Sequence, residues 1–251
     1  MQDRKEGRAG GEGSILIYLR SFLFQLFFWL WSAVWAIGMI VTFPLPRRAN
    51  TWCLTTWSKG LIVALRLLVG VKVEVRGEQY RPTGPALVAA KHQSMFDVFS
   101  QFALLPDACF VMKKELLMVP LFGWHGLKAG MIVVDRDGHS TALKKLVRDA
   151  VERMRGSRQI VIFPEGTRGD VGQPGDYKPG IAALYRELNM PVTPLALNCG
   201  SHWDKGFLRK PGTIVFEYLE PIPAGLKRGE FMRELQTRID TATKALEDAG
   251  L

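Results

Sequence analysis

From Ser21 to Pro46 the chain carries no charged residue, and the run holds Phe22, Phe24, Phe27, Phe28, Trp29, Trp31 and Trp35. So much apolar surface is not left in water; it is buried in a protein core or it meets lipid. A helix from Ile15 to Phe43 would be roughly 40 Å long at about 1.5 Å per residue, enough to cross a ~30 Å hydrocarbon layer. The run is too long for a signal peptide, and no small-residue cleavage site follows it. Pro44 and Pro46 stop the helix, with Arg47-Arg48 just beyond. A second apolar segment, Thr51–Val71, carries Lys59 and Arg66, which suits a helix in the interface or folded back on the first better than a free span. Basic residues flank the first run on both sides, which fits both ends staying on the cytoplasmic face. The expectation is a membrane-associated helical hairpin over residues 14–70, behind a polar, glycine-rich tail of poor order over 1–13. A single span, or two core helices, are the alternatives.

After Gly70 the pattern changes to short strand signals alternating with amphipathic stretches. Strands are expected at Val71–Arg76, Leu87–Ala90, Cys109–Met112, Met131–Val134, Gln159–Phe163, Val192–Leu197 and Thr213–Tyr218. The clearest helix is Ser140–Met154, with Leu143, Leu146, Val147, Ala150, Val151 and Met154 at helical spacing. Ile181–Leu188 and Gly229–Leu246 are two more. The fold class this implies is α/β: a largely parallel twisted sheet flanked by helices, over residues 71–251, preceded by the hairpin. In such folds the reactive groups collect at the carboxyl ends of the strands.

The balance of 33 Lys and Arg against 24 Asp and Glu, a net charge of +9, calls for an anionic partner. Nucleic acid, an anionic membrane surface and a phosphorylated substrate all qualify. The aromatics lie in the apolar N-terminal segment rather than among the basic residues, which argues against nucleic acid. Cys53, Cys109 and Cys199 form no metal-binding spacing and read as core filler in a reducing compartment. No metal cluster, phosphate loop or dinucleotide fingerprint is present in the sequence.

In Leu87–Ser100, LVAAKHQSMFDVFS, His92 stands in the turn leaving a strand, and Ser94 to Asp97 has the S-x-x-D form of a helix start. On one continuous helix, residues five apart point about 140° away from each other. Across a strand–turn–helix corner the carboxylate of Asp97 can fold back onto the imidazole of His92. It would then hold one ring N–H and leave the other nitrogen to take a proton from a substrate hydroxyl. The plainer alternative is a surface histidine and an aspartate that only favours the helix dipole. Three later stretches also follow strands. These are Lys113-Lys114-Glu115-Leu116, the Asp135-Arg136 pair, and Phe163-Pro164-Glu165-Gly166-Thr167-Arg168. Lys113 or Lys114, Arg136 and Arg168 could converge on the rim that carries His92 and hold a phosphate monoester. Gly166 would let the backbone come close, Thr167 add a hydroxyl donor, and Glu165 orient an arginine or a substrate hydroxyl. Singly, each has a plain reading as solvated helix face, surface ion pair or turn.

Taken in order, H-Q-S-M-F-D, K-K-E-L-x-x-x-P-x-x-G, G-x-x-x-V-D-R, F-P-E-G-T-R and P-V-T-P-L-A resemble the motif blocks of the glycerolipid acyltransferases. The D-R ending of the third block resembles the members that take lysophosphatidate more than those that take glycerol 3-phosphate. Val134 and Thr193 depart mildly from the usual blocks. The resemblance implies acyl transfer from a thioester, acyl-CoA or acyl-carrier protein, to the free 2-hydroxyl of lysophosphatidate, giving phosphatidate. It implies His92 and Asp97 as the catalytic pair. Lys113, Lys114, Arg136, Glu165, Gly166, Thr167 and Arg168 would form the phosphate site. No cofactor is expected beyond the donor, which is a substrate. The implied setting is the cytoplasmic face of a bacterial inner membrane. Another lyso-lipid acceptor is the nearest alternative, and a non-catalytic protein that holds anionic lipid a distant one.

Overall fold

The computed structural model describes residues 3–135 and 139–251, with side chains over 15–135 and 141–251. Among them, β1 (Val71–Arg76), β2 (Ala86–Ala90), β3 (Ala108–Lys113), β4 (Ile132–Val134), β5 (Gln159–Ile162), β6 (Val192–Leu197) and β7 (Gly212–Tyr218) form one sheet in the order β1-β7-β6-β2-β5-β3-β4. Each lies within one residue, at either end, of its expected span. Strands β6, β2, β5, β3 and β4 are parallel, as alternating strands and helices require. Strand β7 pairs antiparallel with β6, and β1 pairs parallel with β7, so the edge strand β1 and its neighbour β7 run against the rest. The link from β6 to β7 holds only the short α8 (Cys199–His202) and no crossover helix, and the chain simply turns back.

Strand β2 sits at the centre, buried along its whole length. Its side chains alternate between two cores, as the period of two dictates. Leu87 and Ala89 point into one with Ile160, Ile162 and Val192. That face is covered by α6 (His139–Arg155), α7 (Gly180–Leu188) and α9 (Arg228–Asp248), through residues such as Leu146, Leu184 and Leu235. Val88 and Ala90 point into the other core with Val161 and Leu195. Its cover is the N-terminal hairpin together with α3 (Phe96–Phe99) and α4 (Gln101–Leu104).

The hairpin consists of α1 (Asp3–Gly38), a 3₁₀ turn at Met39–Thr42, and α2 (Arg47–Ala64), which runs on as a π-turn to Val69. The helical backbone begins at Asp3, within the segment for which composition predicts poor order. Ile15–Thr42 and Arg47–Val69 are each long and apolar enough to cross a membrane. The inner stripe is nonetheless a layer of the fold. Phe24, Phe28, Leu61 and Leu65 are buried in the same core as Phe96, Phe99 and Phe216. Trp203 stacks on Phe96 and meets Phe24 edge-on at 5.1 Å between ring centres, joining hairpin to sheet. The helices touch where Gly60 lies flat on Trp31; a Cβ there would stand 2.6 Å from the ring. Trp31 Nε1 donates to the Trp57 carbonyl, and Trp57 Nε1 to Ser32 Oγ. The outer stripe, Trp29, Leu30, Val34, Ile37 and Val41 among others, is exposed.

Two further ties fix the hairpin. The short helix α5 (Phe122–Lys128) lies against its turn. Lys128 Nζ donates to the carbonyls of Phe43 and Leu45, and His125, stacked on Phe43, donates from Nε2 to Ala36. Arg47, which the sequence places as a cation flanking the membrane run, makes a two-pronged bond to Asp107 at 2.7 and 2.6 Å. Arg158, itself buried, donates to Asp107 from the other side and to the carbonyls of Ala108 and Gly130. Burial would push the Asp107 carboxyl up, but the guanidinium groups of Arg47 and Arg158 hold it below its usual value.

Candidate active site

Chain order crosses from β5 to β6 on the two sides of β2, so the crevice beyond the carboxyl end of β2 is the natural ligand position in this sheet. His92 stands there. The corner Lys91–Asp97 folds by local hydrogen bonding. The Ser94 hydroxyl accepts from the Phe96 N–H, and Asp97 accepts from the Ser94 N–H at 2.7 Å, while the helix itself starts one residue later, with Met95 at its N-cap. The same oxygen, Asp97 Oδ2, also accepts from the Gln93 N–H at 2.5 Å and meets His92 Nδ1 at 3.1 Å. Asp97 is 0% exposed. A carboxylate only accepts, so it holds the proton on Nδ1 and leaves the lone pair on Nε2. The imidazole stacks on Phe163, centres 4.3 Å apart, and Nε2 has no hydrogen-bond partner among the described residues. The side chain of His92 is 16% exposed, so the basic nitrogen is reachable.

The F-P-E-G-T-R loop is placed by strand register. Ala89 is level with Ile162, so three residues on, His92 comes level with Glu165. The His92 N–H donates to Glu165 Oε2 at 3.0 Å, and the Gly169 N–H returns a bond to the His92 carbonyl at 2.8 Å. Gly166, at φ +70°, closes the turn by donating to the Phe163 carbonyl. Thr167 and Arg168 are exposed beside the histidine, and no ion pair among the described residues occupies Arg168. Lys113, at the end of β3, is exposed on the same rim, two strands from β2 and so about 10 Å across at ~4.8 Å per strand. Lys114 is exposed and ion-paired with Asp135 at 3.0 Å. Arg136 lies outside the described residues.

One assignment is corrected. Glu165 does not face a substrate; it is 4% exposed, and both its oxygens are in use. One holds the His92 peptide, and the other lies 2.7 Å from Lys91 Nζ. Register brings the turn beyond β5 level with His92, and the turn sets the Glu165 carboxylate against the His92 peptide. The N–H groups at the start of α3 are also partly spent. Those of Ser94 and Phe96 already serve Asp97 and the Ser94 hydroxyl.

Sequence reasoning missed Lys91. It is 1% exposed, and its ammonium lies 3.1 Å from Asp240 Oδ1 and 3.3 Å from the Gln173 carbonyl besides Glu165. Burial alone would push Lys91 down, but the Glu165 and Asp240 carboxylates hold it above its ordinary value, and it stays charged. The available signal was a lysine closing a wholly apolar strand. Cys199 is also near: burial, and after it the Asp97 carboxylate, push its thiol well above the usual value. A thiol held so high is no nucleophile.

Residues 72–198 match a family model described as Acyltransferase. The chain is 35% identical over 199 residues to the 1-acyl-sn-glycerol-3-phosphate acyltransferase of Pseudomonas aeruginosa, covering 78% of this chain and 77% of that one. Against the enzyme of the same description from Cocos nucifera, the identity is 28%, over 76% of this chain and 62% of the relative. The crystal structure of the 1-acyl-sn-glycerophosphate acyltransferase of Thermotoga maritima shares the fold, with a TM-score of 0.73 over 91% of this chain and 97% of that one at 22% identity. The sheet with its histidine corner and the match across it agree: this chain belongs to the acyltransferase family.

Proposed function

We propose that the chain moves an acyl group from a thioester, acyl-CoA or acyl-carrier protein, to the 2-hydroxyl of lysophosphatidate, with His92 as general base. The observation that carries this reading is His92 Nδ1 held by buried Asp97 while Nε2 opens onto a rim bearing Lys113 and Arg168. His92 Nε2 takes the proton as the acceptor oxygen attacks the thioester carbonyl. Asp97 favours the imidazolium so formed. The C–S bond breaks as the carbonyl reforms, and the imidazolium returns its proton to the leaving thiolate. No protein nucleophile takes part, consistent with the protonated state of Cys199. Arg168 and Lys113 hold the phosphate and so place the hydroxyl against Nε2. The setting is the cytoplasmic face of the inner membrane, with the hairpin's exposed stripe in lipid. Leu116, Met118, Val119, Phe122, Trp124 and Leu127, beside the hairpin turn, extend that surface.

The test is thiol release from acyl-CoA or acyl-carrier protein, with and without lysophosphatidate, beside His92→Ala. Release that needs the acceptor and disappears in the variant is the expected result. Release that survives the variant overturns the assignment of the base. Release supported only by another lyso-lipid overturns the acceptor.

A further inference from the structure

We infer that α9, which lies wholly outside the family-matched residues 72–198, is a positioning element for the His92 corner, acting through Asp240 and Glu247. The inference rests on His92 as the base. The residues on either side of His92 are both tied to this helix. On one side is Lys91, whose ammonium lies between Glu165 Oε1 at 2.7 Å and Asp240 Oδ1 at 3.1 Å. On the other is Gln93, whose Nε2 donates to Glu247 Oε1 at 2.5 Å. Gln93 is buried; its side-chain oxygen accepts from the Gly200 N–H, and its own N–H is one of the donors to Asp97. The remaining oxygens of the two acids hold the loop that follows F-P-E-G-T-R: Asp240 Oδ2 accepts from the Gly175 N–H, and Glu247 Oε2 from the Gly172 N–H. Gln236 Nε2, one turn before Asp240, donates to the Gly175 carbonyl. Gln236, Asp240 and Glu247 thus share one face at spacings of four and seven. Asp240 and Glu247 each reach one buried side chain, Lys91 and Gln93 respectively.

The electrostatics give this contact a direction. A buried ammonium between two carboxylates sits where their pulls balance. With the charge on Asp240 removed, Lys91 is drawn to Glu165 alone. Glu165 Oε2 is the acceptor for the His92 N–H, so the histidine's backbone moves with it. Glu247 acts by a separate route, through the peptide that donates to Asp97. Neither acid touches the substrate; both set where Nε2 stands.

The experiment measures kcat, KM for lysophosphatidate and thermal unfolding for the full chain carrying Asp240→Asn, Glu247→Gln or Ile239→Ala, with His92→Ala alongside. Both amides keep an oxygen for the loop N–H groups, and Asp240 is partly exposed, so the fold is retained. The expected result for each amide variant is a fall in kcat of about tenfold, with KM within about twofold of the parent. Adding Lys91→Gln to Asp240→Asn costs little more, because the two act in series. Ile239, buried on the same helix, faces the other way into the core. Ile239→Ala lowers the unfolding temperature while keeping kcat within about twofold below it. Unchanged kcat in both amide variants overturns the inference. A loss in Ile239→Ala equal to that of the amides also overturns it, since the helix would then act only through stability. His92→Ala separates the two levels: if it stays active, the base assignment itself has failed.

Discussion

Asp97 does three things with one oxygen. It caps the corner through two backbone N–H groups and orients His92 through Nδ1. An asparagine could keep the acceptor but would lose the charge that favours the imidazolium. Asp97→Asn is therefore expected to cut kcat by about 10²–10⁴ with little change in KM, read in the thiol-release assay. Arg168 is the opposite case, an exposed cation with no structural bond among the described residues. Arg168→Ala should raise KM for lysophosphatidate by about tenfold or more, lower kcat far less than His92→Ala does, and leave the unfolding temperature near the parent's. A matching collapse of kcat would remove Arg168 from the role of phosphate anchor.

At the scale of elements, the Arg47–Asp107–Arg158 cluster joins α2 to the starts of β3 and β5. Asp107 is held below its usual value by the two guanidinium groups. The stabilisation it gives is therefore complete above about pH 4 and fades as pH falls through its folded-state value. Asp107→Asn is expected to cost about 2 kcal/mol in urea unfolding at pH 7, and the gap to the parent should shrink toward pH 3. A pH-independent gap would mean the loss is one of packing. Gly60→Val sets a side chain into the Trp31 ring and should cost about 1–3 kcal/mol of overpacking, seen as a lower unfolding temperature. Elements such as these were unevenly legible. The strands could be read because most are short apolar runs bounded by turn residues, and Val71–Arg76 shows the period of two directly. The His92–Asp97 pair could be read because its geometry is local, closed within six residues. Glu165 could not, because its partner is set by register between strands distant in the chain. Asp240 could not either: an acid on an amphipathic helix looks like a solvated face until its buried partner is known. The reversed direction of β1 and β7 was hidden for the same reason, since an apolar run carries no direction.

For the whole molecule, the apolar stripe of α1 and α2 and the exposed segment around Met118 and Trp124 lie beside one another, joined by the bonds of Lys128 to the hairpin turn. A net charge of +9 adds attraction to anionic lipid. Replacing Met118, 84% exposed, and Trp124 together by glutamate should lower turnover of lysophosphatidate in anionic vesicles by about tenfold. Turnover of a short-chain acceptor dissolved as monomers should be unaffected. An unchanged rate in vesicles would show that this segment does not meet the bilayer. Trp203 gives the arrangement a further consequence. One indole touches Phe24 and Phe28 of the first helix and Phe96 and Phe99 of α3, which carries Asp97. Solubilisation is then not a neutral step for such an enzyme. A detergent that wedges the two helices apart is expected to loosen the floor beneath His92 and to inhibit without competing for either substrate.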